Sequence, residues 1–298
     1  MGITVGGQMN REWQAKGVCQ QRRLRQQTTT QKRFEETLEN CSYCIESRKL
    51  CRQTIVASGF QTYLCLPRTA SLLDGHCYIV PMMHASSSLQ MDEDVFEEMM
   101  IWRKGLVAMF GDRDEDVVFM ETAKNVRQQP HALVECVPVP REVGDTMPIY
   151  FKKALLESEG EWAQNKKLVD LSVKGSIRKS LPRGFSYFSV DFGLQHGYAH
   201  IIEDEHQFPQ YFGKEIIGGV LDLDHNLWKK PSAESLESQV KKAKRFRHAW
   251  QPYDWTARAK GQSQSLSEST AASTSSSKSP APKTEATEAE VEEQEGPS

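Results

Sequence analysis

The stretch Gln129-Pro130-His131-Ala132-Leu133-Val134-Glu135-Cys136-Val137-Pro138 decides the fold. Odd and even positions differ in kind and prolines bound the run, which predicts one buried or half-buried strand of about 7 residues. A histidine stands at its start, and the sequence also offers Cys41-x-x-Cys44 and His84. Two thiols three positions apart and two distant imidazoles are the ligand types of a tetrahedral zinc site.

The spacing of these four residues leaves two interpretations open. Cys-x-x-Cys lets one turn present two thiolates, while His84 directly follows a predicted strand that ends at Pro81. The intervals to the two histidines are long, however. The four residues are either zinc ligands or a reduced, unused cysteine pair with two ordinary histidines.

Composition limits the class of protein. The 298 residues are enough for two domains and tails, with a net charge of -3. From Thr256 onward seven Glu face four Lys or Arg, so the rest of the chain is close to neutral and does not indicate a nucleic-acid binder by bulk charge. Seven scattered cysteines, the absence of an apolar signal sequence and the absence of a membrane-length apolar run predict reduced thiols in a cytosolic or nuclear protein.

The first half of the chain reads as an α+β layer with an antiparallel sheet. A hairpin over 53–66 and a central strand over 76–80 precede a helix over 91–110, and strands over 116–121 and at His131 follow it. In the second half, helical periodicity over 150–167 precedes strands over 185–192 and 197–202, a short helix over 212–221 and a last helix from a cap at Ser232 to Trp250.

The order of these features resembles the histidine-triad (HIT) fold. The strand at His131 is similar to the triad motif with its second and third histidines replaced by Leu133 and Glu135. In that superfamily the middle histidine is the nucleophile, so the resemblance implies an inactive copy with no catalytic residue. Side-chain alternation agrees, because Leu133 shares a face with His131 and cannot attack phosphorus. Zinc-bearing branches use positions that match Cys41, Cys44, His84 and His131, which implies a structural zinc.

Four further segments, 138–145, 149–154, 182–193 and 211–219, are similar to the CwfJ family and to its Cwf-nineteen-like, type two branch. The resemblance covers about 38–256. It implies a basic polar leader over 1–37, a HIT-like domain over 38–147, a second α+β domain over 148–256 and a disordered acidic Ser/Glu-rich tail over 257–298. The leader is expected to be a helix that needs a partner or a disordered arm. Family members carry a long N-terminal region where this chain has about 37 residues.

The same resemblance implies a function. Family members are nuclear, spliceosome-associated proteins of the post-catalytic intron-lariat complex. The chain is therefore expected to be a non-enzymatic nuclear factor that binds RNA and spliceosomal proteins and assists mRNA splicing and lariat debranching or turnover. The lariat debranching enzyme is among its expected partners, and no membrane is. Two alternatives remain: an active HIT-type nucleotide hydrolase or transferase with an unorthodox nucleophile, and an assembly scaffold without RNA contact.

One segment combines cations with aromatic rings. The segment over 174–183 is interrupted by Gly and Pro and is followed at once by Phe185, Tyr187 and Phe188. Cations that neutralise phosphates, next to rings that can stack a base, are what single-stranded RNA binding requires. The alternative is a solvated loop before a core strand. The basic face over 241–247 is interpreted as a solvated helix face, with RNA contact as its alternative. His196, His200 and His206 are interpreted as loose surface histidines, with a metal site near Asp204 and Glu205 as the alternative. The predicted RNA-binding residues are Lys174, Arg178, Lys179, Arg183 and Lys214.

Overall fold

A computed structural model describes residues 20, 22, 25–29, 31–158 and 168–257. An eight-stranded sheet with the order β1-β2-β3-β5-β4-β7-β8-β6 runs through this part of the chain. Every neighbouring pair in it is antiparallel. The strands are β1 Ile55–Ser58, β2 Thr62–Cys65, β3 Cys77–Pro81, β4 Glu115–Ala123, β5 Val134–Pro140, β6 Val169–Asp170, β7 Tyr187–Phe192 and β8 Gln195–Ile201.

The helices confirm the predicted α+β class and its long helix. They are α1 Glu93–Gly111, α2 Arg141–Gly144, α3 Met147–Glu157, α4 Ile177–Ser180, α5 Phe212–Val220, α6 Asn226–Lys229 and α7 Leu236–Trp250. Residues 31–40 are also helical. In the described residues, no helix is both long enough and apolar enough to cross a membrane. The 159–167 part of the predicted helix over 150–167, most of the 1–37 leader and the 258–298 part of the tail lie outside the described residues.

Both faces of the sheet are covered by helices. Along β4, Val117 and Phe119 pack with α1 and α7, whereas Val118 and Met120 pack with α3 and α5. Successive strand residues point to opposite faces, so a strand covered on both sides must be apolar at every position. This explains the unbroken Val-Val-Phe-Met run, which carries no alternation.

The first and second halves of the sequence share this sheet. Strand β4 pairs with β7 from Val118 opposite Phe192 to Ala123 opposite Tyr187. Across the junction, Arg103 on α1 lies 2.8 Å from Asp191, and its guanidinium stacks on the Phe119 ring at 4.4 Å. The second half therefore extends the first at one edge of its sheet.

Two local predictions need correction. Ser232 does not cap the last helix; the side chain of Ser235 accepts the hydrogen bond from the Ser238 amide at the start of α7. The prediction that His200 is a loose surface histidine is wrong. His200 lies opposite Phe188 in the β7–β8 register, is 0% exposed and stacks on Phe208 at 5.7 Å between ring centroids.

A glycine sets the approach of α7 to α1. A Cβ at Gly105 would lie 2.6 Å from Cη2 of Trp250, whereas a Cβ at Gly111 on the same helix would meet no atom within 4 Å. We expect Gly105→Ala to lower the free energy of unfolding by about 1–3 kcal/mol, because the added methyl overpacks the helix contact. Gly111→Ala, the matched control, should raise it by up to about 1 kcal/mol through helix propensity. Urea denaturation measures both, and equal effects of the two substitutions would contradict the close contact.

Candidate metal centre and adjoining cleft

The turn after the helix over 31–40 presents two sulfur atoms on one side. The Cys41 amide donates to the Leu38 carbonyl at 3.2 Å, which ends the helix. The amides of Tyr43 and Cys44 both donate to Cys41 Sγ at 3.4 Å. These bonds fold the Cys-x-x-Cys segment into a tight turn in which both cysteines are buried.

Two histidines complete the set. His84 Nδ1 lies 3.2 Å from Cys44 Sγ, and His131 Nδ1 lies 3.3 Å from Cys41 Sγ and 3.4 Å from Cys44 Sγ. All four ligand atoms lie within 4.8 Å of one another. A zinc tetrahedron with ordinary Zn–S and Zn–N bond lengths has edges of about 3.3–3.8 Å, so the four donors fit one ion after small movements. We call these four residues the Cys2His2 cluster.

The tautomer of each ring suits metal binding. His131 Nε2 donates to the Pro81 carbonyl at 2.9 Å, and His84 Nε2 donates to the Gln129 carbonyl at 2.8 Å. A carbonyl oxygen can only accept, so Nε2 carries the proton in both rings and Nδ1 is free to coordinate. Backbone carbonyls thus orient both imidazoles toward the sulfurs.

Metal binding requires a change in the protonation of the cysteines and histidines of the cluster. Burial opposes ionisation of Cys41, but hydrogen bonds with His131 and His84 outweigh it and lower the pKa of this thiol to about 5. Burial raises the pKa of Cys44 to about 12, and the hydrogen bond with Cys41 contributes to the same rise. The hydrogen bond with Cys41 also raises the pKa of His84. A bound metal therefore has to displace the Cys44 proton and any proton on the Nδ1 atoms, as thiolate and imidazole ligands require.

The strand predicted at His131 is present, but it begins later than predicted. Strand β5 begins at Val134, and His131 precedes it. The Ala132 amide donates to the Ala85 carbonyl at 2.7 Å, so the segments that carry the two histidines run side by side before the strand begins. The Pro81 carbonyl then orients the His131 ring toward the cysteines.

A cleft of about 690 Å³ adjoins the Cys2His2 cluster. His131, Leu133 and Glu135 line it, and so does Ala132, because strand alternation begins only at Val134. The second half of the chain supplies the far wall through Gln210 and Lys214, and Lys214 Nζ lies 3.1 Å from Glu135 Oε1. The cleft is therefore built by both halves of the chain around the position where the triad motif has its central histidine.

Two further residues of the cleft were not selected by sequence analysis. Glu121 is buried at the end of β4, where it accepts hydrogen bonds from the Ser88 amide at 2.9 Å and the Tyr187 hydroxyl at 2.7 Å. Burial raises the pKa of its carboxyl group. Lys124 follows in the cleft wall and donates to the Phe208 carbonyl at 2.5 Å. The available signal was Glu121 itself, a carboxylate that directly follows the apolar run over 117–120 and is unusual at a buried position.

The predicted RNA-binding residues divide into two groups. Lys174, Lys179 and Arg183 are exposed. Arg178 instead packs on α1: Nη1 lies 3.1 Å from Glu93 Oε2, Nη2 donates to the Met91 carbonyl at 2.7 Å, and the guanidinium lies over the Phe96 ring. Lys214 lies in the cleft, paired with Glu135 as described.

The aromatic residues beside this segment also divide. Tyr187 and Phe188 are fully buried on the two faces of β7, whereas Phe185 is 48% exposed. The segment over 172–183 therefore offers three exposed cations next to one accessible ring.

Comparison with known proteins identifies the family. A family model described as "Protein similar to CwfJ C-terminal" matches residues 28–152, and a second, "Protein similar to CwfJ C-terminus 2", matches residues 161–256. The chain belongs to the CwfJ family. The predicted resemblance is thereby confirmed, and the CwfJ C-terminal regions contain all four residues of the Cys2His2 cluster.

Relatives within the CwfJ family are longer. The chain is 54% identical over 219 residues to CWF19-like protein 2 of Homo sapiens, which covers 74% of this chain and 24% of that protein. It is 45% identical to the CWF19-like protein 2 homolog of Caenorhabditis elegans, covering 77% of this chain and 49% of the relative. The pre-mRNA-splicing factor cwf19 of Schizosaccharomyces pombe is 27% identical over 76% of this chain and 36% of its own length.

Among solved structures, a hypothetical histidine triad nucleotide-binding protein of Sulfolobus tokodaii matches 60% of this chain and 90% of its own, at 12% identity and a TM-score of 0.23.

Metal content tests the Cys2His2 cluster. We expect the purified protein to bind zinc and Cys41→Ser to lose it, with a clear fall in melting temperature, because the cluster ties the turn to the segments around His84 and His131. Cys51→Ser is the matched control, since Cys51 lies outside the cluster and donates to Gln239 at 3.3 Å, a bond that a serine can keep. Metal analysis by mass spectrometry and thermal unfolding give the answer. Loss of zinc without loss of stability would exclude a structural role.

Proposed function

We propose that this chain acts in mRNA splicing, as a non-enzymatic nuclear component of the post-catalytic intron-lariat complex. The observation that carries the proposal is its 54% identity over 219 residues to CWF19-like protein 2, together with its match to a relative named as a pre-mRNA-splicing factor. In this role the chain binds intron-lariat RNA and spliceosomal proteins and assists debranching or turnover of the lariat. The lariat debranching enzyme is one proposed partner.

The Cys2His2 cluster gives this function a rigid wall. Cys41, Cys44, His84 and His131 would hold a structural zinc, which supplies a fixed crosslink and no reaction step. The residues themselves join three segments: the end of the helix over 31–40, the exit of β3 and the entry of β5. All three segments border the cleft, so the cluster would hold it open for a ligand.

The chemistry of the cleft favours binding over catalysis. His131 has both nitrogens engaged, one toward the sulfurs and one with the Pro81 carbonyl. Leu133 has no nucleophilic atom, and Glu135 is paired with Lys214. Lys124 adds positive charge to a wall that also contains the buried Glu121, whereas the charge of Lys214 is offset by Glu135. The proposed occupant is therefore an RNA end or a protein segment that is held and not cleaved.

The 172–183 segment is the proposed RNA contact outside the cleft. Lys174, Lys179 and Arg183 are exposed, and within the described part of the chain they form no ion pair with a carboxylate. Phe185 offers a ring on which a base can stack. Cations beside an exposed ring are suited to single-stranded RNA, whose affinity then depends on salt.

RNA crosslinking tests the contact. We expect the endogenous protein to co-purify with spliceosomal proteins and excised intron lariats, and Lys179→Glu with Arg183→Glu to reduce RNA crosslinks several-fold. The reason is that two phosphate-neutralising charges are reversed. Lys152→Glu with Lys153→Glu is the matched control, because both lysines are exposed on α3. Protein partners without any RNA crosslink would support the scaffold alternative instead.

Nucleotide turnover tests the non-enzymatic part of the proposal. We expect the purified protein to leave adenosine phosphoramidate and dinucleoside polyphosphates intact, because no nucleophile stands at position 133. Chromatography of the nucleotides and intact-protein mass spectrometry measure this. Hydrolysis that His131→Ala abolishes, or a covalent nucleotidyl adduct, would favour the alternative of an active transferase or hydrolase.

A further inference from the structure

A second basic surface lies at the opposite edge of the sheet from the 172–183 segment. Helix α7 packs against β1, the first strand in the sheet order, and against the Arg52–Thr54 turn, whereas β6, just before the 172–183 segment, is the last strand. Seven strand spacings separate β1 from β6, or roughly 33 Å, although the middle of the 172–183 segment folds back over the sheet, where Arg178 packs on α1. We define the basic surface as Lys49, Arg52, Arg68, Lys241, Lys244 and Arg247.

A buried glutamine joins the parts of this surface. Gln239 on α7 accepts from Gln53 Nε2 at 3.3 Å. Its Nε2 donates to the Arg68 carbonyl at 3.1 Å and to the Glu234 carbonyl at 3.0 Å. The helix, the turn at 52–54 and the segment at Arg68 are therefore fixed to one another, and their cations belong to one rigid surface.

Two arginines in the surface are held by neutral acceptors. Arg247 donates from Nε to the Ile55 carbonyl at 3.1 Å and from Nη2 to the Gln53 carbonyl at 3.4 Å. Arg68 donates from Nη1 to the Lys49 carbonyl at 3.3 Å and from Nη2 to Ser42 Oγ at 3.1 Å. Carbonyl and hydroxyl partners position a guanidinium without cancelling its charge. Much of the side-chain entropy that an anion would otherwise have to overcome is already lost.

The exposed lysines and Arg52 add charge that no carboxylate offsets. Lys49, Arg52, Lys241 and Lys244 are exposed. Within the residues that the structure describes, none of the six side chains of the basic surface lies within ion-pair distance of a carboxylate. The two ion pairs of α7 involve other residues, Lys242 with Glu234 at 2.6 Å and Arg245 with Asp74. A row of uncompensated cations on one rigid surface is the electrostatic pattern of a site for phosphates.

We infer that the basic surface binds the sugar–phosphate backbone of single-stranded RNA, at a site distinct from the 172–183 segment. The choice of RNA as the anion rests on the proposed function. Leu236 and Val240 support it, because they are 63% and 45% exposed on the side of α7 that also carries Lys244 and Arg247. Apolar side chains beside cations provide contacts for ribose and base carbons. An RNA long enough to reach both edges of the sheet binds both sites at once, so its affinity exceeds that of a short one.

Fluorescence anisotropy with labelled oligouridine, on the full chain, tests the inference. Lys241→Glu with Lys244→Glu should weaken binding about tenfold at 0.1 M salt. It should also reduce the slope of log K against log salt by about 1.4, since two phosphate contacts are lost. Both lysines are exposed and unpaired in the described structure, so thermal unfolding should match the unsubstituted protein. Lys152→Glu with Lys153→Glu again serves as the control for net charge.

The outcomes separate this inference from the proposed function. An affinity and salt slope equal to those of the control variant overturn the inference. Binding of polyglutamate as tight as that of RNA, with the same dependence on Lys241 and Lys244, also overturns it and indicates an acidic protein partner. If only Lys179→Glu with Arg183→Glu weakens RNA binding, the inference fails and the proposed RNA contact stands. If only the α7 variant weakens it, the inference stands and that contact fails.

Discussion

Two backbone carbonyls determine the geometry of the candidate site. The carbonyls of Pro81 and Gln129 accept the Nε2 protons of His131 and His84, which leaves both Nδ1 atoms directed at the cysteine sulfurs. Neither carbonyl belongs to a side chain, so this arrangement depends on how β3 ends and how the chain enters β5. Gln129 adopts a left-handed backbone conformation with φ of 52° just before Pro130. The site therefore depends on a backbone path as much as on its four ligands.

The cleft depends in turn on how the two halves meet. Lys214 on α5 comes from the second half, yet its partner Glu135 lies on β5 in the first half. Glu135 stands where the triad motif has its third histidine, and in this chain that position holds an ion pair between the halves. His76 lies behind this pair, with Nε2 4.0 Å from Glu135 Oε2. Burial lowers the pKa of His76 to about 3, so the ring is neutral. Its contact with Glu135 is therefore one between a neutral imidazole and a carboxylate, and not an ion pair.

Local sequence patterns predicted the helices and strands. Contacts between segments that are distant in sequence decided which side chains are buried and which ones form the cluster. The helix over 91–110 was predictable because its apolar spacing and acidic first turn are properties of the segment itself, and α1 spans Glu93–Gly111. The membership of His84 and His131 in one cluster came from family resemblance, since intervals of tens of residues carry no geometric information. The burial of His200 and the use of Arg178 in packing follow from the β7–β8 register and the contact with α1. Both depend on parts of the chain that are distant in sequence.

The two basic regions show why charge counts alone predict binding surfaces poorly. Both contain several Lys and Arg within a short stretch, and in both some of these side chains serve the fold. Arg178 is neutralised by Glu93 and packed on Phe96, so it has little charge left to offer an external anion. Arg247 is held as firmly, but by carbonyl oxygens, and keeps its charge. The nature of the acceptor, carboxylate or carbonyl, therefore decides whether an ordered arginine only stabilises the fold or remains available to a phosphate, and only the structure distinguishes them.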